Sequence, residues 1–137
     1  FTVPGVPLLY NGQEADLDKR LEFFKRDPIE WKETELTPFY TKLVHLRTSH
    51  PALRHGIEGG SYDVLKTSQK NVVAYKRVKG ENEVLTILNI SSKPVTVALK
   101  DGATAGTYRD LFTDGSVEIA QGRKMQLEPW GYMVLVK

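Results

Sequence analysis

The sequence predicts a mainly β fold, an antiparallel Greek-key sandwich of about eight strands that is preceded by one strand, a loop and a helix. After Gly56, apolar residues recur at every second position, and turn residues recur about every ten positions through to the end. One earlier stretch has helical spacing instead. The period-2 part is typical of strands that bury one face and expose the other.

The first predicted element is a short strand over residues 6–10, Val-Pro-Leu-Leu-Tyr. The run is continuously apolar, as in a strand that is buried on both faces, and it leads into Asn-Gly-Gln-Glu. Antiparallel strands usually alternate, so this strand is expected to be parallel. Residues 14–35 are rich in charge and contain Asp27-Pro28, which predicts a loop.

A helix is predicted to begin with Thr37 as its cap and Pro38 at its first position, and to end near Pro51. Its apolar face comprises Phe39, Leu43 and Leu46. The domain boundary is expected after residue 55, which divides the chain into residues 1–55 and 56–137.

In the predicted sandwich, Val95, Val97 and Leu99 alternate with polar or small residues, so they should face the core. Residues 84–88 are apolar on both faces, which predicts a central strand. The predicted tight turns contain residues able to adopt positive φ. They are Gly59-Gly60, Gly80, Asp101-Gly102, Asp114-Gly115 and Gln121-Gly122.

Composition excludes several functional classes. The net charge of +2 arises from nearly balanced acids and bases, which is too small a bias to predict nucleic-acid binding. The chain contains no cysteine, so thiol catalysis and disulfides are excluded. No long apolar run predicts a membrane span. No cofactor is predicted, and the compartment is left open.

A lone parallel strand has no partner for its backbone hydrogen bonds, but it fits as the last β/α unit of a barrel. Residues 4–14, Pro-Gly-Val-Pro-Leu-Leu-Tyr-Asn-Gly-Gln-Glu, resemble the eighth-strand motif of the α-amylase family of glycoside hydrolases. Residues 24–31, 39–56 and 127–135 are similar to that family in the same order. With 137 residues, the chain is too short for a complete barrel of about 250 residues.

The resemblance implies that residues 1–55 are the end of a (β/α)8 barrel and that residues 56–137 are the sandwich called domain C. It implies an α-glucan-active parent that hydrolyses α-glucosidic bonds with retention, using carboxylates upstream of Phe1. No catalytic residue is therefore expected here, and the fragment is predicted to be structural. Its expected partners are the rest of the parent barrel and an α-glucan or maltooligosaccharide.

The resemblance also points to Tyr10, Gln13 and Glu14, at the carboxyl end of the predicted strand, as part of the cleft wall. Gln13 and Glu14 either orient active-site groups or merely anchor their own loop, and both interpretations remain open. Arg20 and Trp31 are weaker candidates. Paired acids in the charged loop are expected to be solvated surface.

Two other functional classes compete. The sandwich could bind carbohydrate, with Trp130, Tyr132 or Tyr62 stacking on a glucan, or it could serve only in structure and interaction. For Trp130, a core anchor before the last strand is the favoured alternative. Spacing of five residues does not place the three histidines, His45, His50 and His55, on one helical face, so no metal site is expected.

Two further expectations concern accessibility. Asn89-Ile-Ser91 matches a glycosylation acceptor pattern, which carries almost no weight without the host. Without the rest of the barrel, residues 6–10 and the helix face of Phe39, Leu43 and Leu46 should lack partners, which predicts self-association of the isolated fragment.

Overall fold

Eight antiparallel strands form two sheets in the computed structural model, which describes residues 1–100 and 105–137. The strands are β1 (Ser61–Leu65), β2 (Val72–Lys79), β3 (Asn82–Asn89), β4 (Val95–Ala98), β5 (Gly106–Asp110), β6 (Ser116–Ile119), β7 (Lys124–Leu127) and β8 (Tyr132–Val136). A six-stranded sheet has the order β1-β2-β3-β8-β5-β6, and β4 pairs with β7 in a two-stranded sheet. The chain changes sheet before and after β4 and again around β7. The predicted eight-stranded sandwich is confirmed.

The main core lies between these two sheets, as the period-2 pattern predicts. Val97 and Leu99 are buried in it, whereas Thr96 before them and Lys100 after them are exposed. Its other buried members are Leu65, Val72, Ala74, Leu85, Ile87, Tyr108, Ile119, Leu127 and Leu135. The alternation therefore places these strands in the register that buries their apolar face.

Strand β3 is the central strand predicted from residues 84–88. It lies between β2 and β8, and Val84, Leu85 and Ile87 are each 0% exposed. Leu85 and Ile87 face the main core, and Val84 faces the opposite side. Burial on both faces explains why its apolar run does not alternate.

The helix α1 comprises Leu36–Ser49, so it begins one residue before the predicted cap. Thr34, rather than Thr37, accepts a hydrogen bond from the first helical N–H: its Oγ1 lies 3.1 Å from Leu36 N. Pro38 is consequently the third helical residue, where an N–H still needs no partner in the helix. The helix ends as predicted, before Pro51.

A second core attaches α1 to the outer face of the six-stranded sheet. Its buried members are Leu43, Leu46, Leu53, Val84, Leu111 and Val134, and Phe39 packs against them. The expectation that Leu43 and Leu46 lack partners in the isolated chain is therefore wrong. The sandwich itself covers this face of the helix, because β3 and β8 present apolar residues on both of their faces.

Residues 6–10 do not form the predicted strand. They belong to neither sheet, and the side chains of Val6 and Leu8 are 79% and 84% exposed. A parallel strand needs neighbouring strands to accept its backbone hydrogen bonds. The described part of the chain provides no such neighbours.

Only some of the predicted turns contain a glycine with positive φ. Gly80 and Gly122 adopt φ values of 60° and 75°, whereas Asp114 rather than Gly115 has positive φ, at 58°. Gly59 has negative φ, and its requirement is steric, because a Cβ there would collide with the carbonyl of Arg54. The turn at 101–102 lies outside the described residues.

Candidate functional site

The predicted cleft-wall residues lie in a compact turn that ends in a 3₁₀ helix, Gln13–Ala15. Gly12 begins the turn with φ 86°, and a Cβ on it would lie 2.8 Å from Leu17 Cδ2. Glycine is therefore required here for both its dihedral angles and its size. The backbone of Leu17 closes the turn by donating to the carbonyl of Gly12 at 3.0 Å.

Gln13 connects this turn to the helix. Its Oε1 accepts a hydrogen bond from the backbone N–H of Tyr10 at 3.2 Å, and its Nε2 donates to the hydroxyl of Tyr40 at 2.9 Å. Both ends of the amide are thus used within the chain. These contacts fit the interpretation that Gln13 anchors its own loop.

Glu14 differs, because only its backbone is anchored. The carbonyl of Glu14 accepts hydrogen bonds from Thr34 Oγ1 at 3.0 Å and from Thr37 Oγ1 at 3.2 Å. Its carboxylate oxygen Oε2 is buried and has no hydrogen-bond partner among the described residues. Leaving a buried carboxylate oxygen without a donor costs free energy, so this atom differs from the satisfied amide of Gln13.

The remaining candidates of this region are exposed. Tyr10 and Trp31 are 63% and 61% exposed, and Arg20 is exposed as well. The structure brings Tyr10, Gln13 and Glu14 together in one turn, while Trp31 joins neither hydrophobic core. The paired acids of the loop (Asp16, Asp18, Glu30 and Glu33) are all exposed, as expected of solvated surface.

Sequence reasoning missed the role of Arg47, a buried residue on α1. Its guanidinium donates to the carbonyls of Phe1 and Val3, each at 3.1 Å, and to that of Gly5. Burial lowers the pKa of this guanidinium. Arg47 thereby fixes the path of the chain that leads to residues 6–10. Its position four residues after Leu43, on the buried face, is the signal that could have identified it.

Trp130 lines a different cavity from the turn that contains Tyr10, Gln13 and Glu14. It is 63% exposed, so the favoured interpretation as a core anchor is wrong. It has a left-handed backbone, φ 57°, which is uncommon for a bulky residue. Together with Tyr132, it lines a cavity of about 330 Å³ between the first residues, α1 and the six-stranded sheet. Tyr62, on the edge strand β1, is 42% exposed.

Other sequence patterns do not give sites. Asn89 is 2% exposed, and its Nδ2 donates to the carbonyls of Lys93 and Glu128, so it is not accessible for glycosylation. Within residues 1–100 and 105–137, no three His, Asp or Glu residues cluster as a metal site would require. Over the same ranges, no helix has the length and apolarity needed to cross a membrane.

Comparison with known families adds to this geometry. Residues 62–134 match the family model described as the maltogenic amylase C-terminal domain, which covers more than half of the chain. The chain belongs to this family. The match begins at the second residue of β1, includes β2 to β7 and ends within β8. The resemblance to the carboxyl-terminal region of α-amylase-family enzymes is thus confirmed.

Individual relatives extend the similarity beyond the maltogenic amylase C-terminal domain. An α-amylase, MalA of Haloarcula japonica, is 33% identical over 87% of this chain and 19% of its own length. Neopullulanase 2 of Thermoactinomyces vulgaris is 30% identical over 98% of this chain and 24% of its own length. The structure of a noncanonic maltogenic α-amylase, AmyB of Thermotoga neapolitana, has a TM-score of 0.83 and 25% identity, covering 99% of this chain and 34% of that one. The chain thus spans between a fifth and a third of these relatives.

Proposed function

We propose that the chain is a structural, non-catalytic part of a glycosidase that hydrolyses α-glucosidic bonds with retention. Retaining hydrolysis requires two carboxyl groups about 5 to 5.5 Å apart, one with a raised pKa as the acid. Among the acids of the loop, Asp27 is paired with Lys19 at 2.5 Å. That hydrogen bond lowers the pKa of Asp27, which is the opposite of what a general acid needs. Family membership and this arrangement support a scaffold role.

The main support for a larger parent is an unfilled apolar groove beside α1. The groove has a volume of about 530 Å³, and Val6, Pro7, Leu9 and Val44 are among its lining residues. Val44 is 38% exposed although it lies on a helix whose other face is buried. We propose that neighbouring parts of the barrel fill this groove and pair with residues 6–10. In the isolated chain, the same surface would bury itself in a second copy.

We also propose that residues 1–55 and 56–137 belong to the barrel and to the sandwich, respectively. In this arrangement, the second core is the contact between the two domains, and Leu43, Leu46 and Leu53 are its buried residues from the barrel side. The 3₁₀ turn Gly56–Glu58 and the close-packed Gly59 connect them.

For the cleft wall, we propose that Glu14 accepts a hydrogen bond from another segment of the parent and so positions groups around the substrate. Its unpartnered Oε2 supports this role, and the contacts of Gln13 with Tyr10 and Tyr40 hold the turn in place. The substrate would be an α-glucan or a maltooligosaccharide.

The test is the substitution Glu14→Gln in the full-length enzyme that contains this segment, with Glu33→Gln, at an exposed acid, as the matched control. Loss of one charged hydrogen bond predicts a fall in kcat/KM of about 10- to 100-fold. Reducing-sugar release from maltooligosaccharides measures it, and circular dichroism checks folding. Equal activity of the two variants would contradict the role of Glu14. Turnover by the 137-residue chain alone would contradict the scaffold proposal.

A second candidate function is carbohydrate binding by the sandwich. The exposure of Trp130 favours it, since a large aromatic side chain on a rigid turn is a common platform for a sugar ring.

A further inference from the structure

The cavity beside Trp130 has aromatic walls. Phe39 and Phe112 stack with ring centroids 5.2 Å apart, and Tyr132 meets both rings edge-on, with centroids 5.5 and 5.0 Å away. The cavity volume of about 330 Å³ lies at the lower end of the range for small-molecule sites, about 300 to 1,000 Å³. Such a space suits a ligand of about the size of one sugar ring.

Four residues with hydroxyl groups line the cavity, namely Thr2, Tyr75, Thr86 and Tyr132. Thr2 Oγ1 and the Tyr75 hydroxyl are hydrogen-bonded at 2.7 Å. Thr86, directly opposite Tyr75 in the β2–β3 register, also lines the cavity and is 2% exposed. Its Oγ1 has no hydrogen-bond partner in the part of the chain that the structure describes. A buried hydroxyl without a partner lacks a hydrogen bond that a polar ligand could supply.

The turn that presents Trp130 is firmly held in its left-handed conformation. Trp130 N donates to the carbonyl of Ser91 at 2.9 Å, and Gly131 N donates to that of Glu128 at 2.8 Å. A Cβ on Gly131 would lie 2.8 Å from the Glu128 carbonyl oxygen, so any larger residue at position 131 would distort the turn. The side chain of buried Asn89 also stabilises the turn, because its Nδ2 donates a hydrogen bond to the Glu128 carbonyl. An unfavourable backbone conformation that keeps a large aromatic residue exposed points to a function for that residue.

We propose that this cavity binds one α-glucosyl unit of a maltooligosaccharide, with the sugar ring against Trp130 and one of its hydroxyls hydrogen-bonded to Thr86. Aromatic walls suit the C–H faces of the ring, and the hydroxyl groups suit its polar edge. The inference rests on the proposed action of the parent on α-glucans. It adds a binding site separate from the turn at Tyr10, on residues that take no part in catalysis.

The experiment uses fluorescence of the 137-residue chain, which contains two tryptophans. Trp31→Phe leaves Trp130 as the sole tryptophan. Titration of this variant with maltotriose should give a saturable change in emission at millimolar sugar. Thr86→Val preserves shape and removes the hydroxyl, so it should weaken binding by about 3- to 10-fold, the effect of losing one neutral hydrogen bond. The matched control Thr96→Val changes an exposed threonine on β4 and should leave the affinity unchanged.

Calorimetry with Trp130→Ala provides a second readout, with circular dichroism to show that the variant is folded. Loss of the binding heat is expected, because the side chain is exposed and its removal leaves both cores intact. A flat titration of the unsubstituted 137-residue chain with maltotriose, or equal affinities for the Thr86→Val and Thr96→Val variants, would overturn the proposal. Neither result bears on the scaffold role, because that role is tested by turnover and not by binding.

Discussion

Leu53 offers the sharpest test of how the helical part of the chain is held to the sandwich. It is 0% exposed in the second core, where the turn Pro51–Leu53 contacts β2 and β3. Leu53→Ala removes three buried carbons, which at about 0.8 kcal/mol each gives about 2.4 kcal/mol. The cavity left behind adds to this cost, and measured Leu→Ala changes reach about 5 kcal/mol. We therefore expect the free energy of unfolding to fall by about 3 kcal/mol.

Urea unfolding measures this change, followed both by far-UV circular dichroism for α1 and by tryptophan fluorescence. With a urea m-value of about 2 kcal/mol/M, the midpoint should fall by about 1.5 M. Val44→Ala, on the exposed side of α1, is the matched control and should lower stability by less than about 1 kcal/mol. Equal effects of the two substitutions would refute the reasoning. Loss of the helix in a separate, earlier transition would instead show that residues 1–55 and 56–137 unfold independently.

Two further predictions concern basic side chains whose pKa is lowered by burial, Arg47 and His50. Arg47→Lys retains the charge, but an ammonium group cannot donate to the carbonyls of Phe1, Val3 and Gly5 together. The free energy of unfolding, measured by urea titration, should therefore fall by about 2 kcal/mol. The same substitution at exposed Arg26, Arg26→Lys, is the control and should leave the free energy of unfolding almost unchanged. Burial lowers the pKa of His50 from 6.5, and a hydrogen bond with the Lys137 backbone offsets only part of this effect. As the pH falls, His50 therefore becomes protonated in the unfolded chain before it does so in the folded chain. Its contribution to stability is complete above pH 6.5 and should decline below it, which makes unfolding less pH-dependent in His50→Gln than in the exposed control His45→Gln.

Much of the sandwich could be predicted from local sequence because its strands have one buried and one exposed face. Val97 and Leu99 are an example, because both are buried while Thr96 and Lys100 on either side of them are exposed. The turns were harder to predict. Gly59 has negative φ and is required because the Arg54 carbonyl approaches it closely, a contact that a turn pattern in the sequence does not predict.

For the candidate site, the sequence indicates which residues share a turn but not which of their atoms have partners. Gln13 and Glu14 are adjacent polar residues, yet the amide of Gln13 bonds to Tyr10 and Tyr40, while Glu14 Oε2 is buried without a partner among the residues that the structure describes. Burial of Thr86 beneath the first residues and α1, and exposure of Trp130 on its hydrogen-bonded turn, likewise depend on tertiary contacts. Hydrogen-bond partners and burial of this kind are set by tertiary packing, and the local sequence pattern does not predict them.

The helix α1 explains why one apolar pattern was confirmed while its neighbour was not. Leu43 and Leu46 point toward the sheet, and residues of the same chain bury them. Val44, on another side of the helix, borders the groove formed with Val6 and Leu9, and it remains exposed. A helix with apolar residues on two sides requires two partners, and the sandwich supplies one of them. The apolar run of residues 6–10 requires the same second partner, so its pattern is consistent with a buried strand even though it is exposed in this chain.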